Sequence, residues 1–413
     1  MSSETLRIGP ADAADWPGVG EFFVDALHHL PDRDALDADG QLFEPARSLV
    51  ARRGGRVVAH VGSTRRELTV PGGVVPAAHV DRVAVAPDER RRGVLTDLMH
   101  RQLAGWRRDG EPLAVLWATD PAVYPRFGFG PAVPRLVVDL DRRDVRLAGP
   151  VPGGAGPGRV DCCDPSTAAA DLRAVYERVC PERPGWSARD DLWWRHRVLA
   201  DPPGRRHGAT AWRAVVHRTP DGPEGYGLWR ARPERSDGET LATVEVRELV
   251  AASPRALRAL WGFLLSLDLT RRVQYPLAAT DDPLMHLVDG PRRLGARLTD
   301  GLWLRIVDLP AALTGRRYAA PLDVVLEVTD GVLPGNRGRW RLTAGPEGAR
   351  CERTGEPADL GCDVRVLGAA YLGEGVLPSL ADAGDVEELR PGAVRMMHRA
   401  WTWDRGPSVV ERF

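Results

Sequence analysis

The sequence predicts a multidomain α/β and α+β protein: two tandem mixed α/β units followed by an α+β unit. Three observations point there. Strand and helix signals alternate over residues 1–140, and a fainter copy of that alternation recurs between about 160 and 305. From about 308 the pattern turns to strands separated by polar turns, with helical segments at the end. The chain has 413 residues, of which 43% are hydrophobic, enough apolar material for roughly two or three cores.

In the first unit a strand at 6–8 precedes a helical pattern from about Asp15 to His29. Strands over 48–52, 57–63 and 65–70 are punctuated by the Gly54-Gly55 turn and ended by Pro71-Gly72-Gly73. Residues 79–85 (HVDRVAV) alternate as a strand, and Val94 to Arg108 keeps helical spacing through Leu95, Leu98, Met99 and Leu103. A short buried strand is expected at 113–118, one helical turn at 121–126, and a last strand at 133–140 that closes the unit.

Gly and Pro crowd the stretch 149–159 (GPVPGGAGPGR), which reads as a linker between a first domain, 1–148, and a second, 160–306. In the second domain, strands at 227–231 and 243–250 and a helix at 254–267 repeat the order strand, Pro, helix. The Arg-Gly turn is missing there, as expected of a duplicated domain that has lost an anion site. The third domain, 307–413, should hold strands at 323–328, 338–343, 349–352 and 363–367, then helices. Its last residues are mostly apolar, whereas a frayed end is normally polar.

Charge excludes several functions. With 56 basic and 57 acidic residues the formal net charge is -1, so no global field recruits nucleic acid or an anionic membrane. Every basic side chain other than His is Arg; the absence of Lys removes Schiff-base chemistry and the P-loop. Neither HExxH nor GxSxG occurs. The best apolar run, residues 259–269, falls short of the roughly 18 residues of a membrane span and contains Asp268. The opening MSSETLRIGPADAADW lacks the basic-then-apolar order of a secretory signal. Five unevenly spaced cysteines fit neither a disulfide framework nor a CxxC metal pair. A reduced, cytoplasmic protein without a metal is expected.

Chemistry concentrates in residues 83–96, VAVAPDERRRGVLT. A strand ends at Pro87, and Arg90-Arg91-Arg92-Gly93 leads straight into a helix. Free amides at a helix N-terminus, aided by its dipole, point at an anion, and glycine permits close backbone approach. Arginine adds charge that no working pH removes.

These residues resemble the acetyl-CoA signature of the GCN5-related N-acetyltransferases: a strand, an [RQ]xxGx[GA] turn and a helix. Arg90 and Gly93 match; Leu95 stands where the broad pattern has Gly or Ala, and the RRRGxL form is similar to the Eis (enhanced intracellular survival) family. Residues 119–130 (TDPAVYPRFGFG) resemble that family's catalytic stretch, and 326–342 resemble the opening of its sterol-carrier-like domain. The resemblance implies two tandem GNAT-like domains, the second lacking the cofactor motif, plus a sterol-carrier-like third.

It further implies acetyl-CoA as cosubstrate. Val83, Ala84 and Val85 would hold its pantetheine arm, and Arg91, Arg92, Gly93, Val94, Leu95 and Thr96 its pyrophosphate. Thr119 and Asp120 would border it. Tyr124 would be the general acid, and the carboxylate of the last residue, Phe413, the general base. Phe23 and Asp25 resemble positions lining the acceptor pocket, and Arg82 would point near it. The acceptor would be an amine of a small molecule, with aminoglycosides and other polyamines as candidates, or a Lys side chain. A homo-oligomer, hexameric in Eis relatives, is implied.

The chemistry asks for such parts independently. An amine must lose a proton as it attacks a thioester, and the departing thiolate needs an acid. Tyrosine serves if the positive loop lowers its pKa; the terminal carboxylate serves if burial against Trp401, Trp403 and the Phe413 ring raises its own. The acidic stretch 32–39 faces the pocket mouth or is a solvated loop. The rival functions are a lipid- or sterol-binding carrier and a non-catalytic acetyl-CoA-binding scaffold.

Overall fold

The structure is a computed structural model, and residues 5–28, 31–149, 158–236 and 239–413 are described. His29 and nearly all of the 149–159 linker lie outside them. Seven strands precede residue 142: β1 (Arg7–Pro10), β2 (Leu49–Arg53), β3 (Arg56–Val70), β4 (Gly73–Val85), β5 (Leu113–Trp117), β6 (Gly130–Pro131) and β7 (Pro134–Asp141). Seven more follow: β8 (Arg159–Cys163), β9 (Arg213–Thr219), β10 (Gly222–Ser236), β11 (Glu239–Ala251), β12 (Thr270–Ala278), β13 (Arg297–Asp300) and β14 (Leu302–Ile306). The last part adds β15 (Leu322–Thr329), β16 (Gly338–Gly345), β17 (Gly348–Arg353), β18 (Leu360–Asp363) and β19 (Val386–Glu388). Helices α1 (Trp16–Ala26), α2 (Arg33–Gly40) and α3 (Val94–Arg108) belong to the first part.

These strands form two seven-stranded sheets, in the orders β1-β2-β3-β4-β5-β14-β6 and β13-β7-β12-β11-β10-β9-β8, and a five-stranded sheet, β17-β16-β15-β18-β19. The first two sheets exchange strands. The strand expected at 133–140 forms, but instead of closing the first unit it pairs with β12 and β13 in the second sheet. In return β14 lies between β5 and β6, with Leu302 opposite Trp117 and Ile306 opposite Leu113. Burial explains the swap. All five residues of β14 are buried, so it needs the interior edge of β5 rather than a sheet margin.

Other expectations shift locally. The segments 57–63 and 65–70 are one strand, β3. The helix expected to run to His29 ends at Ala26, and the acidic stretch 32–39 is α2 rather than a loop. The Asp32 carboxylate caps α2 by accepting from the Ala35 amide at 2.7 Å. Asp39, near its end, pairs with Arg197 at 3.2 Å and Arg205 at 2.6 Å, tying α2 to the second domain. The strand expected at 363–367 is wrong: β18 stops at Asp363, whose carboxylate accepts from the Arg365 amide at 3.0 Å and starts a helix, Val364–Ala370.

In the third domain Trp340, Leu342, Leu360, Leu367, Tyr371 and Trp401 are buried together. Arg316 is buried among them, paired with no carboxylate among the described residues; it donates to the carbonyls of Tyr371 and Trp401 and lies over the Tyr318 and Trp401 rings. Beyond the last helix, Ala393–Trp401, the chain leaves this domain. The Ser408 amide donates to the Pro184 carbonyl at 2.9 Å, and the tail runs between the first two domains.

Candidate active site

The site begins with a fault in a strand. β4 pairs in parallel with β5 only from Ala77 to Val80, then continues to Val85. On its other edge the β3–β4 register slips between His60 and Gly62, where Arg82 adopts φ 49°. His60 pins the bulge by donating Nδ1–H to the Arg82 carbonyl at 2.8 Å. Burial lowers the His60 pKa to about 4, so the ring is neutral and keeps that tautomer. A Cβ on Gly62 would lie 2.9 Å from His60 Cε1, which is why the position is glycine. Ala84 and Val85 thus keep β3 on one side, Val83 lies in the slip, and all three extend past the pairing with β5 on the other edge. An extended amide chain fits such an edge as an added strand.

The strand then meets the loop. Buried Glu89 anchors it by accepting from Arg53 at 2.6 and 3.1 Å. Arg90, Arg91 and Arg92 are exposed, Arg91 with φ 62°. Gly93 is the N-cap of α3 at φ 81°, with no side-chain cap on the helix and open space where a Cβ would be. Among the described residues the first amides of α3, from Val94 through Thr96, therefore have no side-chain cap, and three exposed arginines immediately precede them in the chain. Residues and geometry fit a pyrophosphate.

From the strand fault opens a cavity of about 410 Å³, lined by Phe23, Val83, Thr119, Tyr124 and Phe413 among others. Five predicted site residues, from α1, β4, the loop after β5 and the tail, meet here. Asp25 does not: it is exposed on α1, and the side-chain carboxylates of the lining are Asp81 and Asp300. Asp120 is exposed beside the cavity and accepts from the Ala122 amide at 3.1 Å. Sequence reasoning missed Trp117, Arg135, Asp300 and Arg412 in this lining. Arg82 lines it as expected, but pairs with Asp81 and rests 5.0 Å from the Trp16 ring centroid.

Tyr124 is buried, its ring edge-on to Phe129 at 5.9 Å. Its pKa is pushed up to about 12 by burial and by the charge of Asp120, the reverse of the expected lowering. The phenol therefore stays protonated and able to donate at any working pH.

The tail is seated by a buried ion network. Glu411 lies 2.7 Å from Arg66 and 2.8 Å from Arg189, and accepts from Trp193 Nε1 at 2.9 Å. Arg189 also pairs with Glu248 at 2.7 Å. Burial alone would raise the Glu411 pKa; Arg189 and Arg66 outweigh it and hold the carboxyl down at about 2. Ser408 Oγ accepts from Arg183 at 2.7 Å and from Trp186 Nε1 at 2.9 Å. The Phe413 ring packs 4.8 Å from His79, whose pKa burial lowers to about 3. Trp401 and Trp403, expected to desolvate the terminal carboxylate, do not line the cavity; Trp401 belongs to the third-domain core, and Trp403 packs on Gly72 and Gly373. A larger cavity of about 610 Å³ lies against Arg66, Arg189 and Trp193, and none of the predicted site residues lines it.

Comparison with known proteins agrees with this architecture. Family models described as acetyltransferase (GNAT) domains match residues 7–132 and 185–306, and a sterol carrier protein domain matches 309–409. An uncharacterized N-acetyltransferase of Streptomyces avermitilis is 45% identical over 354 residues, 86% of each chain. The N-acetyltransferase Eis of Mycobacterium tuberculosis is 34% identical over 405 residues, 94% of this chain and 95% of that one. The crystal structure of Eis1 from Mycobacterium abscessus superposes with a TM-score of 0.82 at 33% identity, covering 99% of this chain and 100% of that one.

Proposed function

The chain belongs to the Eis family of N-acetyltransferases, and from that premise we propose that it moves the acetyl group of acetyl-CoA directly onto a primary amine, with Tyr124 as general acid and the Phe413 carboxylate as general base. The observation that carries this reading is the convergence of Tyr124 and the chain terminus on one cavity that opens where Val83 and Thr119 meet. Residues 91–96 would grip the pyrophosphate, and the free edge at 83–85 would hold the pantetheine amides, aiming the thioester at Tyr124.

In the transfer the amine nitrogen bonds to the acetyl carbon and the carbon–sulfur bond breaks. The amine proton goes to the Phe413 carboxylate, directly or through a water. The Tyr124 proton goes to the departing sulfur. An alkylamine with a pKa of about 10 arrives protonated and must be neutralised, while an α-carboxylate near ~3.5 is a weak base in water. Enclosure in the cavity would help, because losing solvent disfavours a charged carboxylate. Tyr124, with a pKa about 12, is a weaker acid than a thiol near ~8.5. Its part is then a hydrogen bond that strengthens as negative charge grows on sulfur, with the proton following late.

The lipid-carrier reading needs an apolar tunnel in the third domain. The burial of Trp340, Leu342, Leu360, Leu367 and Trp401 against one another lends it little support. Five unpaired cysteines accord with a reduced, cytoplasmic setting, and the proposal includes a homo-oligomer, a hexamer as in Eis relatives. Among the described residues no helix is long and apolar enough to cross a membrane.

The test is release of free thiol from acetyl-CoA with a panel of amines, repeated on a variant carrying several residues after Phe413. Turnover is expected with some amines, and its loss in the extended variant at unchanged melting temperature. No thiol release with any amine would sink the enzymatic reading. Full turnover after extension would remove the carboxylate as base. Light scattering that gave a monomer mass would refute the oligomer.

A further inference from the structure

We propose that the acceptor carries an anionic group, a carboxylate or phosphate, a few bonds from its reactive amine, and that Arg135 and Arg412 hold it. This rests on reading the 410 Å³ cavity as the acceptor site.

The cavity wall is not uniformly acidic. Two guanidinium groups flank Trp117, that of Arg412 at 5.3 Å and that of Arg135 at 5.6 Å from the ring centroid. Arg135, half-buried on β7, is fixed by backbone only: Nε donates to the Asp300 carbonyl at 3.0 Å and Nη1 to the Pro276 carbonyl at 2.6 Å. Carbonyl acceptors orient a guanidinium without cancelling its charge. Among the described residues neither arginine has an ion-pair partner. The nearby Asp300 carboxylate is engaged by Trp303 Nε1 at 2.7 Å and by the Thr299 hydroxyl at 3.2 Å.

Some enclosed arginines of this molecule pair with acids, Arg189 with Glu248 and Glu411 and Arg305 with Asp330, while Arg316, deep in the third-domain core and out of reach of any ligand, takes carbonyls instead. In this cavity Arg82 is paired with Asp81, whereas Arg135 and Arg412 stand near each other without an ion pair among the described residues. Burial and the positive charge of Arg412 press the Arg135 pKa below its ordinary value, and the Asp300 charge only partly offsets them. A ligand anion would relieve that repulsion, and the planar fork of arginine matches carboxylate or phosphate geometry. A polyamine would bring further positive charge into the same space. At the opposite end of the binding requirement, Asp300 and the chain terminus supply negative charge for an arriving ammonium. Arg412 is covalently next to Phe413, so anion and amine must lie close together in the acceptor.

The experiment measures both binding and turnover on the full chain saturated with CoA or acetyl-CoA, so that the phosphate loop is filled. The acceptors are 4-aminobutyrate and 2-aminoethyl phosphate against butylamine and 1,4-diaminobutane. By calorimetry the anionic amines should bind at least about ten-fold tighter than butylamine, and diaminobutane weakest. Arg412→Gln, at the exposed mouth, and Arg135→Gln should each shrink that preference toward equality. A preference for the carboxylate or for the phosphate identifies the group. Equal binding of charged and neutral amines, or tighter binding of diaminobutane, overturns the proposal even if acetyl transfer is observed. Anion preference with no thiol release would uphold the anion site while refuting the acetyltransfer reading of the cavity.

Discussion

The two halves of this chain end their long inner strands in the same way and then treat the following helix differently. After β4, α3 starts at a glycine without a side-chain cap, preceded by three exposed arginines. After β11, the helix Pro254–Ser266 starts with Pro254, which has no N–H, and Ser253, whose hydroxyl accepts from the Ala256 amide at 3.2 Å. That hydroxyl in turn donates to the Glu224 carboxylate at 3.0 Å. The first helix end leaves its amides without a side-chain cap; the second satisfies its own and adds a negative charge. A helix N-terminus is thus an anion site only where the sequence withholds the cap.

The parallel extends to the strands. β11 pairs with β12 from Ala242 to Glu245 and runs on to Ala251, as β4 outruns β5. In the first half the unpaired stretch faces the candidate site. In the second it carries Glu248, bound to Arg189, and Val250, packed with Val410. The half without a phosphate loop uses the equivalent ground to seat the tail.

The comparison can be broken at four points. Tyr124→Phe should lower turnover by about 100-fold or more while coenzyme affinity holds, since it removes a proton donor and little volume. Because the Tyr124 pKa is near 12, the wild-type rate should show no basic limb from this residue below about pH 11. Unchanged turnover in the variant removes Tyr124 as acid.

Glu411→Gln should cost about 3 kcal/mol of stability at pH 7, because Arg66 loses its buried counter-charge and Arg189 keeps only Glu248. The folded carboxyl titrates near 2, below its ordinary 4.5, so the pair stabilises at neutral pH and that gain fades as pH falls from about 4.5 toward 2. The variant should lack that acid-dependent loss in melting experiments. If the role is positioning, kcat falls and the KM for acetyl-CoA does not. An unchanged kcat would mean the network only stabilises.

Replacing Arg91 and Arg92 with Ala should raise the coenzyme dissociation constant about ten-fold at low salt and less at high salt. A salt-independent effect would indicate a disturbed loop rather than lost charge. Smallest, Ser253→Ala should cost about 1 kcal/mol of stability and leave coenzyme binding untouched. A change in coenzyme affinity would show that the second helix end is not inert.

Local signals in the sequence carried much of this. The α3 boundaries, its glycine start and the arginine turn follow from periodicity and one residue's backbone freedom. The gathering of Phe23, Tyr124 and Phe413 came from family resemblance, because pattern alone cannot bring residue 413 to residue 124. The strand exchange was not legible, since PRLVVDLD and LWLRI read equally well as strands of either sheet. Nor were Arg135 and Arg412, which become cavity residues only once β7 has crossed to the second sheet and the tail has returned. Glu411 left one faint trace, a lone acid near the end of an apolar run. The Tyr124 pKa was misjudged because the loop's charge is exposed to solvent, while the ring itself is enclosed.

The exchange of β7 and β14 makes the two halves inseparable. Removing the second half would take Leu302–Ile306 from between β5 and β6, leaving the buried face of the first sheet open. The half that lacks the arginine-glycine turn therefore cannot be shed by deletion, which gives a physical reason for the chain to keep it.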